Sequence, residues 1–211
     1  MRYVFFLLIA SALPGQDLGA VVNGMELHYN RLATLQTEFE QTLIYSGTPR
    51  DIQRGTLYLY RPQKMRWEYA KPKGKLLVGD GQKLYLYSPL TNQVQTMLLE
   101  DSADMRVPLA FLLGRMNLRR QFKNLELTKI DGQPAMTAQG RTGKEGYSKV
   151  EFFYDPNSDF RLDKIKVYQR DDSVMVFAFG NEIVNVKLDE SMFEFQVPPG
   201  AELLGERKIG E

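Results

Sequence analysis

One stretch limits the folds open to this chain more than any other: Gly55 to Tyr69, reading GTLYLYRPQKMRWEY. From Thr56 to Arg61 two faces alternate, with Thr56, Tyr58 and Tyr60 on one and Leu57, Leu59 and Arg61 on the other. Beyond Pro62-Gln63-Lys64, Met65, Trp67 and Tyr69 share a face, and Arg66 and Glu68 lie opposite. Alternation of period two with aromatic content predicts strands, and the intervening proline marks a short connection. The segment reads as a β-hairpin. Its oddity is Arg61, on the apolar Leu57/Leu59 face just before the turn. A guanidinium stays charged, so it either snorkels to solvent along its stem or finds acceptors inside. On the pattern alone both readings stand.

The pattern of short strands extends in both directions. Val22, Met25, Tyr29, Leu32 and Leu35 recur at spacings of three and four, which predicts an amphipathic helix from Asn23 to Thr34. Phe39 to Tyr45 alternates and is stopped by Ser46-Gly47-Thr48-Pro49. After the hairpin come strands at Lys75–Val78, Leu84–Tyr87 and Gln93–Leu98, separated by Gly79-Asp80-Gly81 and Ser88-Pro89. With no helices between them, they predict an antiparallel meander. Asp104 to Phe122 breaks the pattern. Pro108 suits a helix start, Leu109, Leu112, Leu113 and Met116 form a stripe, and a further turn is predicted from Leu118. Strands then resume at Leu125–Ile130, Ala135–Ala138, Lys149–Tyr154, Leu162–Gln169 and Val174–Asn185. Asp189 caps a single turn before Phe193 and Phe195.

The first twenty residues, MRYVFFLLIASALPGQDLGA, place a basic Arg2 before an apolar run and then small residues. That is the layout of a secretory signal peptide, and the run is short for a bilayer span. Cleavage after Ala20 would leave residues 21–211 as one domain; Gly15 and Ala12 also offer small residues, and an uncleaved anchor is the alternative. The chain has no cysteine. An exported protein of this kind must be held by its core alone, and it lacks the thiol needed for lipid attachment. A net charge of +1 gives no field for nucleic acid or anionic membrane.

Catalysis has little support. The only histidine, His28, lies on the predicted first helix, and neither a nucleophile elbow nor a P-loop is present. Asp155, Asn157 and Asp159 begin like a calcium loop, but Phe160 stands where an EF-hand needs glycine, so a hairpin turn is the better reading. No metal site, cofactor site or nucleophile–base pair can be named. What remains is a sheet rich in aromatics (Tyr58, Tyr60, Trp67, Tyr69, Tyr85 and Tyr87) with apolar residues on both faces of several strands. Either this is a two-layer fold with an ordinary core, or a curved sheet whose concave face lines a cavity for an apolar ligand.

Arg54 to Val94 resembles the LolA family of periplasmic carriers of outer-membrane lipoproteins. The residues that carry the likeness are Gly55, Arg61-Pro62, Trp67, Pro72, Asp80-Gly81, Tyr87-Ser88-Pro89 and Gln93. Phe39-Glu40-Gln41, Pro108 and the ending Phe193-x-Phe195-x-x-Pro198-Pro199-Gly200 agree with it. The resemblance implies a mainly β (α+β) fold, an incomplete, strongly curved antiparallel β-barrel covered by a helical lid. It implies a cavity for lipoprotein acyl chains, lined by Leu57, Leu59, Met65 and Trp67, with Arg61 as a lid latch that bonds to lid carbonyls. Met65 stands where the family often has a bulky aromatic. The implied role is a monomeric periplasmic chaperone, not an enzyme. Its implied partners are an inner-membrane ABC-type lipoprotein release complex and an outer-membrane receptor lipoprotein. A sensor or adaptor that binds lipid or lipoprotein to regulate an envelope signalling partner is the alternative from another class.

Overall fold

The computed structural model describes residues 17–99, 116–143 and 145–205. In chain order these form α1 (Leu18–Asn30), β1 (Thr34–Tyr45), β2 (Thr48–Tyr60), β3 (Lys64–Lys71), β4 (Leu76–Asp80), β5 (Lys83–Ser88) and β6 (Gln93–Leu98). Then come α2 (Leu118–Gln121), β7 (Phe122–Ile130), β8 (Gln133–Gly140), β9 (Tyr147–Asp155), β10 (Arg161–Gln169) and β11 (Val174–Val184). A 3-10 turn (Glu190–Phe193) and a short β12 (Glu202–Leu204) complete the described part.

All the strands join one 12-stranded sheet in the order β12-β6-β5-β4-β3-β2-β1-β11-β10-β9-β8-β7. Neighbours are antiparallel except β12, which runs parallel to β6. The β1–β11 ladder welds the two meanders together, from Leu35 opposite Val184 to Ile44 opposite Val174. The outer strands β12 and β7 do not pair with each other, so the sheet is an open, curled barrel. Register shifts at Gln36/Glu38, Leu43/Ile44, Arg54/Gly55, Lys123/Glu126, Leu162/Lys164 and Tyr168/Gln169 are local irregularities of the kind that bend such a sheet. Gly55 sits at one of them. A Cβ there would lie 1.9 Å from the Glu68 carbonyl oxygen, so only glycine permits this approach of β2 to β3.

The core occupies the concave face. Leu35 and Phe39 of β1, Leu57 and Leu59 of β2, Trp67 of β3, Phe152 of β9, Ile165 of β10 and Phe177 of β11 form one cluster with Val21, Val22, Met25 and Tyr29 of α1. The convex face carries a smaller cluster under the C-terminal segment. Phe193 meets Tyr60 at 5.6 Å, Phe195 stacks on Tyr85 at 4.9 Å, and Arg66 Nη1 donates to the Met192 carbonyl at 2.8 Å. The Asp189 carboxylate accepts from the Ser191 amide and caps the 3-10 turn, as its sequence predicts.

Several boundaries differ from the sequence reading. The first helix runs from Leu18 to Asn30, not from Asn23 to Thr34. Its N-cap is Asp17, whose carboxylate accepts from the Ala20 amide, so it begins inside the segment read as leader. At its other end the apolar period continues through Leu32 and Leu35 because the turn and β1 face the same core as the helix. β1 and β2 extend well beyond the alternating cores of Phe39–Tyr45 and Thr56–Arg61, and Arg61 itself lies in the turn after β2. The helix expected around Pro108 falls outside the described residues; the turn expected from Leu118 is α2, capped by Asn117.

A concave apolar face under a tethered helix

Cross-strand pairing brings four of the expected cavity residues side by side: Leu57 opposite Trp67, and Leu59 opposite Met65. All four are 3% exposed or less. Trp67 meets Phe39 edge-on at 4.5 Å and Phe177 at 5.9 Å, and Phe39 in turn meets Tyr69 at 5.0 Å. Among the described residues the buried Trp67 indole N–H finds no hydrogen-bond partner in this aromatic box.

One end of the trough is polar. The Tyr69 hydroxyl donates to Gln41 Oε1 at 3.0 Å, and Lys75 Nζ donates to Gln53 Oε1 at 2.7 Å while standing 4.4 Å over the Tyr69 ring. Burial pushes the Tyr69 hydroxyl up from its ordinary value and the Lys75 ammonium down. The hydrogen bonds, not the shifts, hold this end together.

The other end is covered by α1. Arg61, half-buried, donates from Nη2 to the Tyr29 carbonyl at 3.1 Å, and its backbone N–H donates to the Ala33 carbonyl at 2.9 Å. Burial lowers the guanidinium from its ordinary value, since the charge is partly removed from water. The Tyr29 carbonyl belongs to the last turn of α1, where carbonyls lack intrahelical partners. Arg61 thus joins the β2–β3 turn to the end of the covering helix.

Further ties carry no signal in the sequence taken alone. His28 Nε2 lies 2.9 Å from Glu182 Oε1, both side chains being less than a tenth exposed. The Tyr29 hydroxyl accepts from the Leu162 amide at 2.8 Å; burial, reinforced by the Glu182 carboxylate, pushes this hydroxyl far up. Asn30 both accepts from and donates to the backbone of Met116, and Glu26 accepts from the Leu118 amide. Asp155 spends its carboxylate on the Asn157 amide and the Ser158 hydroxyl, and Asp159 pairs with Arg31. The loop is therefore a turn, and among the described residues no group of acidic, histidine or cysteine side chains could hold a metal.

Between α1 and the sheet one void is lined by Tyr29, Leu35, Thr37, Leu57, Leu162, Phe179 and Glu182. It measures about 10 Å³, room for about one water. The apolar side chains of α1 fill this part of the trough, so an apolar guest can enter here only by displacing them. No helix among the described residues is long and apolar enough to cross a membrane.

Comparison with known proteins bears on this architecture. A family model described as "Outer membrane lipoprotein carrier protein LolA" matches residues 30–196. An outer-membrane lipoprotein carrier protein of Dechloromonas aromatica is 30% identical over 82% of this chain and 82% of its own length. One from Nitrosospira multiformis is 28% identical over 97% of this chain and 96% of its own. Among solved structures, an uncharacterized conserved protein from Thermus thermophilus shares the fold with a TM-score of 0.55 at 16% identity, covering 90% of this chain and 98% of that one.

Proposed function

The chain belongs to the LolA family of outer membrane lipoprotein carrier proteins, and from that premise we propose that its concave face shelters lipoprotein acyl chains during passage between membranes. The reading rests on one observation: an apolar trough whose cover is a helix rather than more sheet. Val21, Val22, Met25 and Tyr29 of α1 occupy the trough at 3% exposure or less. An acyl chain in water is penalised by ~0.8 kcal/mol per methylene, roughly 10 kcal/mol for a long chain. Displacing α1 exchanges one apolar lining for another. The net preference is then the small difference of two large burial terms, which lets the same protein load and let go.

In this reading Leu57, Leu59, Met65 and Trp67 contact the chain, and Arg61 is the latch of the closed form. Cargo is taken from an inner-membrane ABC-type release complex and given to an outer-membrane receptor lipoprotein. The working compartment is the periplasm, reached by a leader that is removed ahead of Asp17 so that the α1 cap survives, and the chain acts as a monomer. The test is binding of a synthetic triacylated lipopeptide. Leu59→Asp should abolish it while Arg54→Ala, on the exposed side of β2, should bind normally. Equal binding by both variants would refute the assignment of the trough.

A further inference from the structure

The proposed function requires α1 to move, and on that premise the ties around α1 fix how it moves. We infer that α1 is a flap hinged on the C-terminal half of the sheet, seated by the β9–β10 turn, and that the trough opens along the seam between α1 and the β2–β3 hairpin. The seat is built from Phe160. A Cβ added to Gly24, in the middle of α1, would lie 2.1 Å from Phe160 Cδ2 and 2.5 Å from Cε2, so the ring occupies the notch that glycine leaves. Phe160 holds φ at 57° and Asp159 at 52°. A bulky residue in the left-handed region is strained, and it persists where the surroundings fix it. Here the fixing contact is the helix.

Three polar ties surround that notch. Arg31 pairs with Asp159 at 2.5 Å on the surface, the Leu162 amide donates to the Tyr29 hydroxyl at 2.8 Å, and His28 meets Glu182 of β11 at 2.9 Å. Two of the three are buried, where a broken bond leaves an unsatisfied group. Toward the β2–β3 hairpin, the polar tie to α1 among the described residues is the half-buried Arg61 bond to the Tyr29 carbonyl. Water can replace that bond as it breaks. Residues 116–119 travel with α1, through the paired bonds of Asn30 to Met116, Glu26 to Leu118 and Asn23 to Arg119. The β9–β10 turn, which begins like a calcium loop in sequence, is thus a helix seat.

The ligand-free protein tests this, so a failure is separate from failure of the carrier reading, which lipopeptide binding decides. Trp67 is the only tryptophan and reports the hairpin side by acrylamide quenching. The Leu162 amide reports the seat by hydrogen exchange. In Arg61→Leu, quenching should rise severalfold while Leu162 exchange stays within twofold of the parent. In Gly24→Ala, Leu162 exchange should speed at least tenfold, and Phe160→Ala in the same chain should restore it in part. Unchanged Trp67 quenching in Arg61→Leu, loss of Leu162 protection in that variant, or unaltered Leu162 exchange in Gly24→Ala would each overturn the hinge.

Discussion

Replacing Arg61 by leucine should make the protein hold its cargo longer. In the closed form the guanidinium makes one hydrogen bond to the covering helix, at 3.1 Å to the Tyr29 carbonyl. A bond to a charged group contributes ~1.5–3 kcal/mol, and the partial burial that lowers this guanidinium offsets part of it, leaving about 1 kcal/mol for closure. Leucine removes that bias toward the closed, empty form. It also extends the Leu57/Leu59 face, and about 40 Å² of new apolar surface beside an acyl chain contributes ~1 kcal/mol at about 25 cal/mol per Å². Both effects favour the loaded state. Together they give about 1–2 kcal/mol, or roughly 5- to 30-fold slower release. The assay follows a fluorescent triacylated lipopeptide leaving the protein for excess vesicles. Arg61→Lys, which keeps the charge but not the planar fork, should fall between parent and leucine variant. Release from Arg61→Leu within twofold of the parent, or faster, would refute the latch.

Gly55→Ala should destabilise the fold by about 3 kcal/mol, because its Cβ would meet the Glu68 carbonyl oxygen at 1.9 Å and that atom is backbone. A thermal melt should show the midpoint lowered by about 6–12 °C, and an unchanged midpoint would contradict the strand approach. Alongside the more deeply buried Tyr29 and Tyr69, whose hydroxyls are also pushed up, Tyr168 should contribute to alkaline destabilisation. Burial, and then its hydrogen bond to Glu151, push the hydroxyl up to about 12. A raised folded-state value means stability fully present below the unfolded value of about 10 and lost as pH rises through about 12. Tyr168→Phe should make that alkaline loss shallower, the remainder coming from Tyr29 and Tyr69, in a pH series of unfolding midpoints; an unchanged slope would contradict it. Processing should spare the cap of α1: an intact mass that places the mature N-terminus at or before Asp17 fits the capped helix. A mature chain starting at Val21 would contradict it.

The hairpin was the most legible part of this fold because each strand buries one face and turns polar or amphipathic residues outward, Tyr58 and Tyr60 on β2 and Arg66 and Glu68 on β3, which writes period two into the sequence. The outer parts of β1 and β2, near Tyr45 and Thr48, are exposed, so nothing forces alternation there. β12 is three residues long and pairs in parallel with a strand distant in sequence, a combination with no local signature. The grouping of Leu57, Leu59, Met65 and Trp67 could be read because cross-strand neighbours follow from the register. The acceptor for Arg61 could not, since a backbone carbonyl looks the same at every residue. His28 and Glu182 meet across 154 residues, and only the closure of β1 on β11 brings them together. Phe160 interrupts a calcium-like pattern, and its reason lies in Gly24 on another element.

The most direct test of the central claim is native mass spectrometry after incubation with inner membranes whose lipoproteins carry labelled acyl chains. The account predicts soluble one-to-one complexes of this protein with lipoproteins, absent for Leu59→Asp. Recovery of the protein with free phospholipid alone, and with every labelled lipoprotein still in the membrane, would contradict a carrier and favour a lipid-binding sensor.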